Sequence, residues 1–199
     1  MASNESDPGL NLSTAQQPWL VVIDMQYIFG DPQSAWFTPR FSEVIAPIQR
    51  LVALTRPHVC FTRFVAPSHP TGSWIPYYRQ WPFALQPPSS HDYQLIDIFA
   101  AQEGLRVDAT TFGKWTPALE AAIPRGHRIL LTGVSTDCCV LSTALAAADA
   151  GRYVQVVADA CAGVDDVAHT RALDVMRLYQ PMIEVVQMAD VLKEFQGQP

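Results

Sequence analysis

Six short apolar runs recur along the chain: Trp19 to Asp24, His58 to Thr62, Leu105 to Asp108, Arg128 to Gly133, Val154 to Asp159 and Ile183 to Gln187. They are rich in Val, Ile and Leu and nearly continuous. A strand with one wet face alternates polar and apolar side chains, whereas a strand covered on both faces does not, so these runs predict strands buried from both sides. Segments with helical patterning lie between them, at Phe41 to Thr55, Thr116 to Ile123, Cys138 to Ala150 and Asp165 to Tyr179. Strands joined by crossover helices imply an α/β fold, a mostly parallel sheet of about six strands with helices on both faces, in a Rossmann-like three-layer arrangement. Pro117 suits a first helical turn, Gly151 the left-handed position after a helix, and Asp165 an N-cap. The alternation breaks between Arg63 and Gly104, which hold Trp74, Tyr77, Tyr78, Trp81, Phe83 and several prolines. A stretch of that length without regular patterning predicts a lid, a binding loop or an oligomer contact.

Composition narrows the class. A chain of 199 residues that is 49% hydrophobic has material for one sizeable core, so residues 19–199 are expected to form a single domain behind a floppy N-terminal segment, 1–18. That segment is polar, with neither the basic start nor the apolar centre of a targeting peptide, and no apolar run reaches the roughly 20 residues of a bilayer crossing. A cytoplasmic protein without a membrane partner is the expectation. The net charge of -6, with 13 scattered Lys and Arg residues, argues against nucleic acid. Cys60, Cys138, Cys139 and Cys161 show no zinc-type spacing and do not form a disulfide framework, and the histidines lack ligand-like spacing. Asp159, Asp165 and Asp166 read as strand-end and helix-start residues, so no metal site is expected.

The most informative segment is RILLTGVSTDCCVLSTALAAADAG, residues 128 to 151. It reads as a buried strand, a sharp turn over Gly133 to Asp137, and a helix opening at the cysteine pair, with Asp137 as its cap. A cysteine at a helix N-terminus lies beside unpaired N–H groups and the positive end of the dipole, which favour thiolate and can hold an oxyanion. Position alone does not separate Cys138 from Cys139. Asp24 closes the first strand and Lys114 follows the third, offering a proton acceptor and a cation. In an open parallel sheet the site lies at the carboxyl edge where the strand order reverses; if the first and fourth strands are neighbours there, Asp24 and Cys139 meet.

The chain resembles the isochorismatase-like cysteine hydrolase family, which includes nicotinamidases, carbamoylsarcosine amidohydrolases, ureidoacrylate amidohydrolases and streptothricin hydrolases. The resemblance runs from about Trp19 to Val186 and rests on the Asp of VVIDMQ, the Lys of FGKW and the Cys of GVSTDCCV followed by STALAAADAG. It implies that Asp24 is the general base, Lys114 the thiolate-stabilising cation and Cys139 the nucleophile, since Val140 follows it as the motif requires. It further implies a cis peptide between Val134 and Ser135 and an oxyanion hole from the N–H groups of Ser135 and Cys139. The implied activity is cleavage of a C–N bond in a small amide, ureide or lactam-like substrate through a thioester, with no cofactor. Nicotinamidases carry an Asp-x-His metal arrangement after the second strand; here that stretch reads FTRFVAPSHP, with His69 alone.

Plainer readings stand beside these. Cys139 could be a small buried residue at a helix start, Asp24 a turn cap and Lys114 a solvated loop charge, although none of these explains all three in order. Cys60 and Cys161 read as inert core residues. The aromatic residues after Arg63 suit a substrate wall mixed with a dimer surface, so Phe29, Trp36, Trp74 and Trp81 are pocket candidates and a homo-oligomer is expected. Two other functional classes remain: a noncatalytic member that binds a small molecule or protein, and a thiol redox sensor at Cys138 and Cys139.

Overall fold

A computed structural model describes residues 17–196. The chain folds as one six-stranded sheet: β1 Trp19–Ile23, β2 Val59–Phe64, β3 Leu105–Ala109, β4 Ile129–Val134, β5 Val154–Ala162 and β6 Ile183–Val186. Their order is β3-β2-β1-β4-β5-β6, and every adjacent pair is parallel. All six correspond to the continuous apolar runs. The order reverses between β1 and β4, so the crevice expected of a doubly wound sheet opens at their carboxyl ends.

Among the described residues the α-helices are α1 Tyr27–Gly30, α2 Phe41–Thr55, α3 Trp74–Gln80, α4 Asp97–Ala100, α5 Pro117–Ala122, α6 Leu141–Asp149, α7 Asp166–Arg177 and α8 Met188–Gln196. Alternate residues of β1 feed two separate cores. Leu20 and Val22 pack with α2 and α8, whereas Val21 and Ile23 pack with α5, α6 and α7. Burial on both faces is why the strand sequences do not alternate. The Thr116 side chain caps α5 by accepting from Leu119 N–H, Asp165 caps α7 by accepting from Ala168 N–H, and Gly151 takes a φ of 75° after α6.

Three expectations are corrected. The helix placed at Cys138 begins instead with a single wide π-helical turn, Thr136–Val140, and regular α-helix starts at Leu141. Asp137 therefore caps nothing in its own helix; its Oδ1 accepts from the Val164 N–H at 2.9 Å, across the crevice mouth. The stretch from 63 to 104 is not irregular throughout, since α3, α4 and two 3-10 turns, Pro82–Ala84 and His91–Tyr93, fold it onto the α2-side core. Buried Gln26 pins it there. Its amide donates to the carbonyls of Phe64 at 2.9 Å and Tyr93 at 2.7 Å and accepts from Phe64 N–H at 2.7 Å. The N-terminal segment lies outside the described residues up to residue 16, and no described helix is long and apolar enough to cross a membrane.

Where β1 and β4 pair at Ile23 and Gly133, the glycine has a φ of 105°. A Cβ there would lie 2.1 Å from the Ile23 carbonyl oxygen, and that oxygen belongs to backbone that cannot swing aside. Gly151 also has positive φ, but a Cβ on it would meet nothing within 4 Å. Gly133→Ala is accordingly expected to lower unfolding free energy by at least about 3 kcal/mol, against about 1 kcal/mol for Gly151→Ala, as read by urea denaturation of the two variants.

Candidate active site

Three chain segments meet at the carboxyl edge of the sheet. Asp24 follows β1 in a left-handed conformation, φ 50°, which turns its side chain at the strand end, and it is fully buried. From β2, Thr62 Oγ1 donates to Asp24 Oδ1 at 2.7 Å and accepts from Asp24 N–H at 3.3 Å. From the loop after β3, Lys114 Nζ lies 3.0 Å from Asp24 Oδ2, with no exposed surface on either side chain. The same ammonium donates to the Thr111 carbonyl at 2.7 Å and stands 5.1 Å from the centre of the Phe64 ring. Asp24 Oδ2 has no partner of hydrogen-bonding geometry among the described residues despite its short approach to Nζ. That contact is an ion pair that leaves a carboxylate lone pair free.

The third segment is the turn after β4. Its Val134–Ser135 peptide is cis, and the Ser135 carbonyl accepts from the N–H groups of both Cys138 and Val140 at 3.1 Å, passing over Cys139. Thr143 ties this segment to the lysine: its Oγ1 accepts from Lys114 N–H at 2.8 Å and donates to the Cys139 carbonyl at 2.6 Å. On the other side Thr136 Oγ1 and His169 Nδ1 of α7 are 2.8 Å apart. One threonine thus sets the spacing between the cation and the cysteine, and another anchors the turn to a neighbouring helix.

The two adjacent thiols are not equivalent. Donation of its proton to Cys138 and burial both push the Cys139 thiol well above the usual range, with the field of Asp24 adding to them and Lys114 opposing. Cys138, which receives that hydrogen bond, is lowered despite its partial burial. Cys161 is raised by burial, and Cys60 is pushed up to about 12 for the same reason. Both sit among core residues, as inert cysteines should.

A cavity of about 400 Å³ opens above the turn, with Ser135, Asp137, Cys138 and Cys139 on its wall. Its remaining surface is largely aromatic: Phe29, Trp36, Phe37, Phe64, Tyr77, Trp81 and Phe112. The structure therefore gathers Asp24, Lys114, Cys139 and Ser135 and sets Phe29, Trp36 and Trp81 over them. Trp74 does not reach the cavity; it packs behind it, 5.3 Å from Tyr77 and 4.9 Å from Phe112 between ring centres. Tyr77, its neighbour one turn on along the same helix, lines the cavity instead. Thr62 and Thr143 were legible only as a strand end and a helix interior position, Phe64 only as part of the irregular stretch, and Phe112 only as the first residue of the FGKW motif. Among the described residues no group of three His, Cys, Asp or Glu side chains is placed to hold a metal ion.

Comparison with known proteins places this geometry in a family. Residues 18–190 match the isochorismatase domain model. Over 71 residues the chain is 42% identical to isochorismatase domain-containing protein 2 of Xenopus laevis, a match covering 34% of this chain and 35% of that protein. It thus spans about a third of the length of that curated relative. A cysteine hydrolase from Pseudomonas syringae pv. phaseolicola 1448A superposes with a TM-score of 0.77 at 21% identity, covering 90% of this chain and 92% of the other. N-carbamoylsarcosine amidase from Thermoplasma acidophilum gives 0.67 at 20% identity, covering 87% and 97%. These two likenesses are of fold, whereas the domain match covers most of the sequence: the chain belongs to the isochorismatase family of hydrolases.

Proposed function

We propose that the protein is a cysteine-dependent amidohydrolase that cleaves the C–N bond of a small amide, ureide or lactam-like substrate. The observation that carries this reading is the fully buried Asp24–Lys114 ion pair, whose charges both act on Cys139, together with a cavity of about 400 Å³ that has Cys139 on its wall. Removing one member of such a pair typically costs about 3–5 kcal/mol, so a fold keeps both or neither. A purely structural role would be served as well by apolar side chains.

The chemistry follows from the free lone pair. With a substrate carbonyl over Cys139, Asp24 Oδ2 takes the thiol proton while Sγ forms its bond to the carbonyl carbon. The oxygen gains the negative charge and is held by the N–H groups of Ser135 and Cys139, the latter being the one the Ser135 carbonyl passes over. Collapse of the tetrahedral species breaks the C–N bond, and the nitrogen leaves with the proton held by Asp24. Water then gives a proton to Asp24, attacks the thioester carbon and releases the carboxylic acid and the thiol. Each half-reaction returns Asp24 to its starting charge. Lys114 balances the negative charge shared by Asp24 and the sulfur, and Thr62 holds Oδ1 of the carboxylate, leaving Oδ2 to act as the base.

Because the hydrogen bond to Cys138 and burial both raise the Cys139 thiol, the base acts during attack rather than on a thiolate stored beforehand. Cys139→Ser should lose ammonia release from a responsive amide by at least about a thousandfold while its circular dichroism stays native. Should it retain a tenth of wild-type activity, the nucleophile is another residue. Thr62→Val is expected to lower kcat about tenfold with little change in KM, and Thr62→Ser to restore it, in steady-state assays of the three proteins. Cys138→Ala removes the acceptor that helps hold the proton on Cys139. The pH midpoint for alkylation of Cys139 by iodoacetamide, followed by mass spectrometry, should therefore move to lower pH than in wild type.

A further inference from the structure

The cavity has an unbalanced inventory of charge. None of its lining residues is Lys, Arg or His, and its one ionisable carboxyl group is Asp137. The cation nearest by chemistry, Lys114, has no exposed surface and is already held by Asp24 and the Thr111 carbonyl, so it offers nothing to a ligand carboxylate. Asp137 is held by the Val164 N–H at Oδ1 and has no donor at Oδ2 among the described residues. A carboxylate entering here would lose its water, find no cation and meet a like charge.

The rest of the wall favours the opposite sign. Trp36 is the centre of a packed aromatic group: its ring lies 6.0 Å from Phe29, nearly parallel to it, 6.0 Å from Tyr77 and 6.3 Å from Trp81. Phe64 is edge-on at 5.6 Å, and its own face already accommodates the Lys114 ammonium at 5.1 Å. Flat apolar groups fit such surfaces, and the negative faces of the rings attract cations. The net charge of -6 works in the same direction at longer range.

Resting on the amidohydrolase reading, we propose that this pocket takes aryl amides that are uncharged or carry an organic cation and rejects those that carry a carboxylate, with Asp137 and the Trp36 aromatic wall as its specificity-determining groups. The carbonyl lies over Cys139 and Ser135, the aryl group lies along Trp36 and Phe29, and a cationic substituent is placed within the field of Asp137.

Three para-substituted benzamides of matched shape test this: 4-(aminomethyl)benzamide, 4-methylbenzamide and 4-carbamoylbenzoate. Their binding is measured calorimetrically on Cys139→Ser and, independently of that variant, as protection of wild-type Cys139 from iodoacetamide. The cationic and neutral compounds should bind at least about tenfold more tightly than the carboxylate. The cation should exceed the neutral compound about threefold or more. Asp137→Asn retains the oxygen that accepts from Val164 and is expected to remove the advantage of the cation. Equal binding of the carboxylate, or no saturable binding of any of the three up to about 10 mM, overturns the proposal. An undiminished cation advantage in Asp137→Asn overturns the role of that residue. Ammonia release by wild type separates the two readings: the predicted binding order with no turnover sinks the hydrolase and spares the pocket, whereas turnover with the carboxylate favoured does the reverse.

Discussion

The ion pair between Asp24 and Lys114 is the constraint around which the rest of the structure is arranged. Two opposite charges with no exposed surface hold together only if their separation is fixed and their remaining polar atoms are occupied. Here those atoms are served from three directions: Thr62 of β2 on the carboxylate, the Thr111 carbonyl on the ammonium, and Thr143 of α6 on the lysine backbone. Each contact comes from a different part of the chain, so the pair can form only when β1, β2, the loop after β3 and α6 are already assembled. Breaking it would leave a bare charge in the interior, which makes the site and the fold strongly interdependent.

That assembly depends on how closely β1 and β4 approach. Glycine at position 133 lets the Ile23 carbonyl come within what would be van der Waals contact of any side chain, and the approach brings Asp24 and the Ser135–Val140 turn to the same edge. The register slip between β4 and β5, where Leu131 pairs with Val156 but Gly133 with Cys161, carries β5 farther along the edge. It is followed by Gly163, where an added Cβ would lie 2.7 Å from Asp137 Oδ1, so the chain just after β5 packs against the cysteine turn. Small residues at two neighbouring strand ends thus decide how tightly the crevice closes.

Much of this was readable from the chain, and the limits follow from local physics. Continuous apolar runs announce strands covered on both faces, whereas the neighbouring of β1 and β4 entered the sequence reading only as a condition and is given by the strand order itself. The short helices were not legible because α1 and α4 have four residues each and α3 seven, too few for a period of 3.6 to declare itself. α8 is strongly amphipathic but only nine residues long, at the end of the chain. The wide turn at Thr136–Val140 was divided between a sharp turn ending at Asp137 and a helix opening at Cys138; its actual hydrogen bonding depends on the Ser135 carbonyl and has no signature in composition. Family motifs picked out Asp24, Lys114 and Cys139, but not the two threonines that hold them. Thr62 was the polar end of an apolar run, a weak signal that gains meaning only once β1 and β2 are neighbours.

The apolar character of the cavity and the state of Cys139 are two sides of one arrangement. An aromatic wall excludes water, which strengthens every charge interaction at its foot and also makes a stored thiolate costly. The neighbouring Cys138 and burial both push the Cys139 thiol well above its usual range, and Asp24 Oδ2 has no hydrogen-bond partner among the described residues. In the proposed mechanism a bound substrate brings the electrophile to the sulfur just as proton transfer to Asp24 becomes productive. Reactivity would thereby be coupled to occupancy, with the charge that develops during attack met by Lys114 and the backbone N–H groups.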